Sequence, residues 1–115
     1  MYSIKPTVVF QKNTKKLLKK FPNIKNDCLD FIAQLKQGFF VGDKLKGFDE
    51  KVFKVRIGSS DQRKGKRGGF RIIYYVVTEQ QEIYLLTIYA KVKQENITKK
   101  EIKTILQFLH ETEKL

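Results

Sequence analysis

The chain has 115 residues, with 24 Lys and Arg against 12 Asp and Glu, for a net charge of +12. A mass of 13.6 kDa and a pI near 9.8 describe one basic domain over 1–115, with enough length for a single core. One Cys and one His exclude a disulfide framework and make a structural zinc site implausible, and the longest apolar run, Ile72 to Val77, falls far short of the roughly 20 residues of a membrane span.

The first residues show no basic segment leading into a long apolar stretch, so no secretory signal is expected and the default setting is reducing and cytoplasmic. Like charge at this density costs self-repulsion, and a polyanionic partner is the usual reason a small domain tolerates it.

Along the chain, Ile4 to Phe10 reads as an extended, β-branched segment, and Pro6 suggests an edge strand. Asn13 or Thr14 is expected to cap a short helix ending near Phe21-Pro22. A second helix is expected from about Asn23 to Gln37. Its Ile24, Cys28, Phe31, Ile32 and Leu35 follow helical spacing, and Gly38 stops it. On that stripe Cys28 reads as a small core residue, not a nucleophile.

The period then changes. From Val52 to Ile57, Phe53, Val55 and Ile57 share one strand face, and Lys54 and Arg56 the other. A polar, Gly- and Lys-rich loop covers Gly58 to Gly69. Two apolar strands follow, Phe70 to Thr78 and Glu82 to Tyr89, joined by Glu79-Gln80-Gln81. Thr98-Lys99-Lys100-Glu101 is a capping box opening a last helix, with Ile102, Ile105, Leu106 and Leu109 inward. The order β-α-α-β-β-β-α describes a small α+β domain. An antiparallel sheet packs one face on the helices and leaves the other to bind.

The charge is uneven. Lys44 to Arg71 holds ten basic and three acidic residues, a net of +7 in 28 positions. Lys54 and Arg56 share a face by parity, and an antiparallel neighbour brings Arg71 to it. The loop adds Arg63, Lys64, Lys66 and Arg67, with Gly65, Gly68 and Gly69 letting its backbone come close to a ligand. Lys12, Lys15, Lys16, Lys19 and Lys20 form a second basic group on one side of the first helix. By itself that group reads as a solvated face; with the first it forms a footprint for nucleic acid.

Several chemistries are excluded. Gly65-Lys66-Arg67-Gly68-Gly69 lacks the Gly-Lys-Ser/Thr ending of a phosphate loop and has no helix after it. No His/Cys/Asp cluster suits a metal, so no cofactor is expected. His110 reads as a surface residue, and Asp49-Glu50 as a solvated turn pair. What remains is a Lys/Arg surface with Tyr74, Tyr75, Tyr84 and Tyr89. RNA brings its own nucleophile, the 2′-hydroxyl beside each phosphate. Preorganised cations that align this hydroxyl and stabilise the developing phosphate charge suffice to cut it. A Lys crowded by cations has a lowered pKa and can act as base. A plain RNA-binding module explains the same residues.

Four segments carry a resemblance. They are Lys44-Leu45-Lys46-Gly47-Phe48, Val52-Phe53-Lys54-Val55-Arg56, Gly65-Lys66-Arg67-Gly68-Gly69-Phe70-Arg71-Ile72-Ile73-Tyr74-Tyr75, and Ile83-Tyr84-Leu85-Leu86-Thr87-Ile88-Tyr89-Ala90-Lys91. Together they resemble the RelE/ParE superfamily of bacterial toxins, closest to the HigB/RelE-type branch of toxin–antitoxin pairs. The resemblance covers 44–106 closely.

It implies the small RelE-like fold, and a metal-free endoribonuclease that enters the ribosomal A site and cuts the mRNA codon there. It also implies an antitoxin partner, acidic where it touches and often DNA-binding. Lys54 and Arg56 match the two basic positions of the family's second strand. There the second is often Lys and supplies the base; Arg is a poor base, so Arg56 reads as a phosphate clamp and Lys54 becomes a candidate base. Arg71 matches the Arg that holds the scissile phosphate. The family's later Arg and Tyr have no counterpart of the same type. The resemblance passes the Arg's role to Lys91 or Lys93, and base stacking to Tyr89. Two other readings stand beside this one: a ParE-like gyrase inhibitor, and a non-catalytic RNA-binding relative.

Overall fold

The computed structural model of the chain describes residues 1–62, 68–91 and 97–113. Strand β1 (Ser3–Pro6) leads into helix α1 (Val8–Leu18), followed by α2 (Ile24–Asp27) and α3 (Leu29–Lys36). Then come β2 (Asp43–Lys44), β3 (Lys51–Ile57), β4 (Phe70–Val77), β5 (Glu82–Ala90) and α4 (Lys99–Glu113). The strands form one sheet in the order β1-β5-β4-β3-β2. The fold is α+β, as expected.

The first turn of the chain departs from the sequence reading. The extended segment ends at Pro6, and the helix starts at Val8. Thr7 is the cap, not Asn13 or Thr14: its hydroxyl oxygen accepts from the Phe10 N–H at 3.2 Å. The same hydroxyl lies within donating distance of the carbonyls of Leu85 (2.9 Å) and Leu86 (3.1 Å). A good cap outweighs the weak helix propensity of Val8 and Val9. The β4–β5 register shifts between Ile73, opposite Thr87, and Tyr74, opposite Leu85. Leu86 is thus the extra residue of a bulge, and Thr7 ties the start of α1 to it. Thr7→Ala is expected to cost about 1–2 kcal/mol in urea unfolding, and Thr7→Ser to recover most of it.

β1 pairs with β5 in parallel, Ser3 opposite Glu82 and Pro6 opposite Leu85, so the sheet is mixed and not wholly antiparallel. Pro6, which has no N–H to donate, sits on an edge strand as expected. Lys5 Nζ lies 2.6 Å from Glu82 Oε2 across this pair, and the bond holds the Glu82 carboxyl below its usual range.

The second helix is two helices. At Cys28 the chain tightens, and its N–H is shared between the carbonyls of Ile24 and Lys25, both at 3.2 Å. Just before the break, the Asp27 carboxylate accepts from the Ser60 N–H at 3.0 Å, tying this corner to the loop after β3. Gly38 ends α3 with φ +87°, the left-handed stop its position suggests.

Both sheet faces carry core. On one, Ile72, Tyr74, Leu85 and Ile88 pack with Phe21, Ile24, Phe31 and Leu35 from the α1–α3 side. On the other, Val52, Ile73, Tyr75, Tyr84 and Leu86 pack with Ile102, Leu106 and Leu109 of α4. Burial on both sides explains why β4 and β5 read as continuous apolar runs. The α4 face is therefore not free as a whole. The capping box forms as expected: the Glu101 N–H donates to Thr98 Oγ1 at 3.1 Å, and the Thr98 N–H to Glu101 Oε1 at 3.2 Å. No described helix is long and apolar enough to cross a membrane.

Candidate nucleic-acid interface

Three expected cations lie on the sheet face that α4 packs against, toward the Ile57–Phe70 end of the β3–β4 ladder. Antiparallel pairing sets Arg56 of β3 directly opposite Arg71 of β4, and Lys54 opposite Ile73. Arg71 is in turn opposite Tyr89 of β5. Parity in β3 and the register of β4 thus bring Lys54, Arg56, Arg71 and Tyr89 together.

Their exposures differ. Arg56 is exposed, Lys54 is half-buried, and Arg71 is only 4% exposed. Arg71 Nη1 donates to the carbonyls of Gly68 at 3.0 Å and Phe70 at 3.3 Å, which fixes the plane of its guanidinium. Burial, and then the charge of Arg56, push its pKa below the ordinary guanidinium value. It remains a cation at neutral pH. Like charges directly opposite each other destabilise a sheet, and burying one of them adds a desolvation cost.

Lys91 lies one residue past β5, where its N–H donates to the Gly69 carbonyl at 3.2 Å. Gly69 itself has φ +45°, and an added Cβ would strike the Ile57 carbonyl oxygen of β3. Only glycine fits where β3 and β4 come together beside Arg71. Arg63, Lys64, Lys66, Arg67 and Lys93 lie outside the described residues. Tyr89 is 6% exposed, and its hydroxyl accepts from the Ile97 N–H at 3.4 Å, so little of its ring is open for stacking. Next to it, Asn13 Nδ2 donates to Thr87 Oγ1 at 2.8 Å. That bond joins α1 to the floor of the site and gave no sign in the sequence, where Asn13 reads as a cap. Lys54 and Arg56 also border a separate cleft of about 540 Å³ beside α3, which Arg71 and Tyr89 do not line. Asp27, Asp30 and Asp43 line it as well, so its walls carry both signs.

Other groups fall away from this centre. Lys12, Lys15, Lys16, Lys19 and Lys20 are all exposed. Burial, and then Asp27, raise the Cys28 thiol to about 11, so it is no thiolate nucleophile. Burial raises the phenols of Tyr74 and Tyr75 as well, and neither serves as a base. His110 is half-buried, not a surface residue: Nε2 lies 3.1 Å from Glu50 Oε2, and the ring meets Tyr75 edge-on at 5.9 Å. Glu50 is correspondingly not a purely solvated turn residue. This pair clasps α4 to the chain entering β3, away from the cations.

The arrangement suits an oxyanion such as phosphate, held by one fixed, buried guanidinium and one exposed one. No protein-family model matches the sequence. Among solved structures, the chain is similar to the isolated E. coli RelE toxin, with TM-score 0.57 and 12% identity over 95% of this chain and 100% of that one. It is similar also to a double arginine-to-alanine mutant of E. coli RelE in the free state, with TM-score 0.56 and 16% identity over 82% and 87%. At that identity the likeness speaks for architecture: the chain has the fold of the RelE toxins.

Proposed function

We propose that this protein is the toxin of a toxin–antitoxin pair, and that it cuts mRNA in the ribosomal A site without a metal. The observation that carries the proposal is the Arg56–Arg71 register pair, one guanidinium buried and one exposed, on the α4 face of the sheet. The RelE fold supports it.

Arg71, held in plane by two backbone carbonyls, takes the scissile phosphate. Arg56 is the second clamp, since a guanidinium stays charged and cannot serve as base. Lys54 is the candidate base. It draws the proton from the 2′-hydroxyl, whose oxygen attacks the adjacent phosphorus. The 5′-oxygen leaves, taking a proton from solvent water, and a 2′,3′-cyclic phosphate remains. Lys91 or Lys93 adds charge beside the phosphate. Arg63, Lys64, Lys66 and Arg67 hold neighbouring RNA, and Tyr89 flanks Arg71. The protein acts in the cytoplasm. Its antitoxin lays an acidic segment over Lys54, Arg56 and Arg71, and that affinity falls as salt rises.

Primer extension on a defined mRNA, with and without translating ribosomes, tests the reading. Cuts at a fixed position of the A-site codon, only with ribosomes present, are expected. Intact mRNA from folded protein sinks it and favours gyrase inhibition or RNA binding without cleavage; a supercoiling assay separates those two. Cuts without ribosomes leave a ribonuclease but remove the A-site step.

A further inference from the structure

The chain leaving β3 turns soon after the strand ends. The Gln62 N–H donates to the Ser59 carbonyl at 3.2 Å and closes the turn. Two carboxylates tie that turn to the α2 corner. Asp27 accepts from the Ser60 N–H at 3.0 Å. Asp61 accepts from the Asn23 N–H at 3.1 Å and from Asn23 Nδ2 at 3.0 Å. The turn is thereby an anchored platform for the half-buried Gln62 side chain. The Gly69 N–H, just before β4, donates to Gln62 Oε1 at 2.8 Å. An N–H donor selects the carbonyl end of the amide, so the orientation of Gln62 follows from its partner.

That N–H and the Gly68 carbonyl belong to one planar peptide unit, and a trans bond points them in opposite directions. The carbonyl end of this unit accepts from Arg71 Nη1 at 3.0 Å. Gln62 therefore holds one end of the plane, and the other end holds Arg71. A glycine stands on each side of the unit, so sterics barely resist its rotation and its orientation depends on what bonds it. Polarisation runs the same way, since a peptide whose N–H is bonded accepts better at its C=O. We propose that Gln62 is a positioning residue for Arg71, setting the plane of its guanidinium through the Gly68–Gly69 peptide. The consequence for cleavage rests on the function proposed above; the consequence for the guanidinium does not.

The test is the guanidinium NMR signal of Arg71 in isotope-labelled full-length protein, assigned by its absence from Arg71→Lys. A guanidinium held by carbonyls turns slowly about its Cζ–N bonds and shows separate Nη resonances; a released one averages them. Gln62→Met keeps the length of the side chain and loses the acceptor, whereas Gln62→Glu keeps both. Separate resonances are expected in wild type and Gln62→Glu, and averaged ones in Gln62→Met. At saturating programmed ribosomes Gln62→Met should cut about tenfold or more slowly, with KM within about twofold of wild type, the pattern of misplaced chemistry and not of lost binding. Gln62→Glu should stay within about threefold of wild type. Separate resonances in Gln62→Met overturn the proposal. So does averaging in Gln62→Glu, because an acceptor at this point would then not be enough. Hydrogen exchange of the wild type covers a Gln62→Met that does not fold: slow exchange at the Gly69 amide supports the proposal, and exchange at the rate of an open loop overturns it. A wild type that cuts no mRNA counts against the proposed function alone, and the resonances still decide the role of Gln62.

Discussion

Arg71→Ala is expected to lower A-site cleavage by about a hundredfold or more, the scale seen when one preorganised charge stabiliser is removed. The structure says why the effect should be on chemistry and not on folding. The guanidinium is 4% exposed and bonded to the Gly68 and Phe70 carbonyls, so its removal takes a partner from two buried acceptors, at a cost of up to about 1–3 kcal/mol each. It also removes a buried charge standing opposite Arg56 in the ladder, which offsets much of that cost. Stability should therefore change little while cleavage collapses. Arg71→Lys keeps the charge but loses the planar fork, and should fall between wild type and alanine. Arg56→Ala removes an exposed side chain, so its loss of cleavage should come with no loss of stability. Time courses of primer extension, beside urea unfolding of each variant, read both quantities. A loss of under threefold for Arg71→Ala would remove Arg71 from the site, and an equal loss of stability and cleavage would make it a structural residue.

The cation site was legible because it depends on two local regularities. Alternation from Val52 to Ile57 sets Lys54 and Arg56 on one face, and antiparallel pairing with the next strand in the chain, Phe70–Val77, brings Arg71 to the same face. What lay out of reach depends on contacts between distant positions. That α4 packs on the Lys54 face follows from how Ile102, Leu106 and Leu109 dock on Val52 and Tyr75, which no window of sequence records. The parallel pairing of Ser3–Pro6 with β5 is of the same kind. So is the His110–Glu50 clasp, whose partners are 60 positions apart. Two misreadings were local. Asn13 and Thr14 are good caps, but Thr7 stands six residues earlier with two β5 carbonyls in reach, and tertiary contact decided between them. The helical stripe through Cys28 is genuine on both sides of the break. Periodicity survives a single tightened turn and so cannot show it.

The central strands of the sheet serve both of its faces. Strands β4 and β5 send Arg71 and Tyr89 to one face and Ile72 and Ile88 to the other, so a substitution that shifts these strands disturbs both surfaces. Gly69 is where such a shift is easiest to provoke. Gly69→Ala is expected to destabilise the protein by about 2–4 kcal/mol, from left-handed strain together with a backbone collision. Its φ is +45°, and the new Cβ would meet the Ile57 carbonyl oxygen, an atom that cannot yield without parting β3 from β4. For a domain of this size that lowers Tm by about 10 °C or more. Gly38→Ala is the matched control. It has φ +87°, but its Cβ would meet only Tyr2 ring carbons at 3.6 and 3.9 Å, an ordinary contact, so strain alone should cost about 1–2 kcal/mol. The difference between the two variants isolates the collision. Equal losses would mean that β3 and β4 have slack at this point. At a temperature where both variants stay folded, Gly69→Ala should also lose cleavage while Gly38→Ala keeps it, because only the first moves Arg71 relative to Arg56. If Gly69→Ala stays active there, the spacing of the two guanidinium groups is looser than a shared phosphate requires.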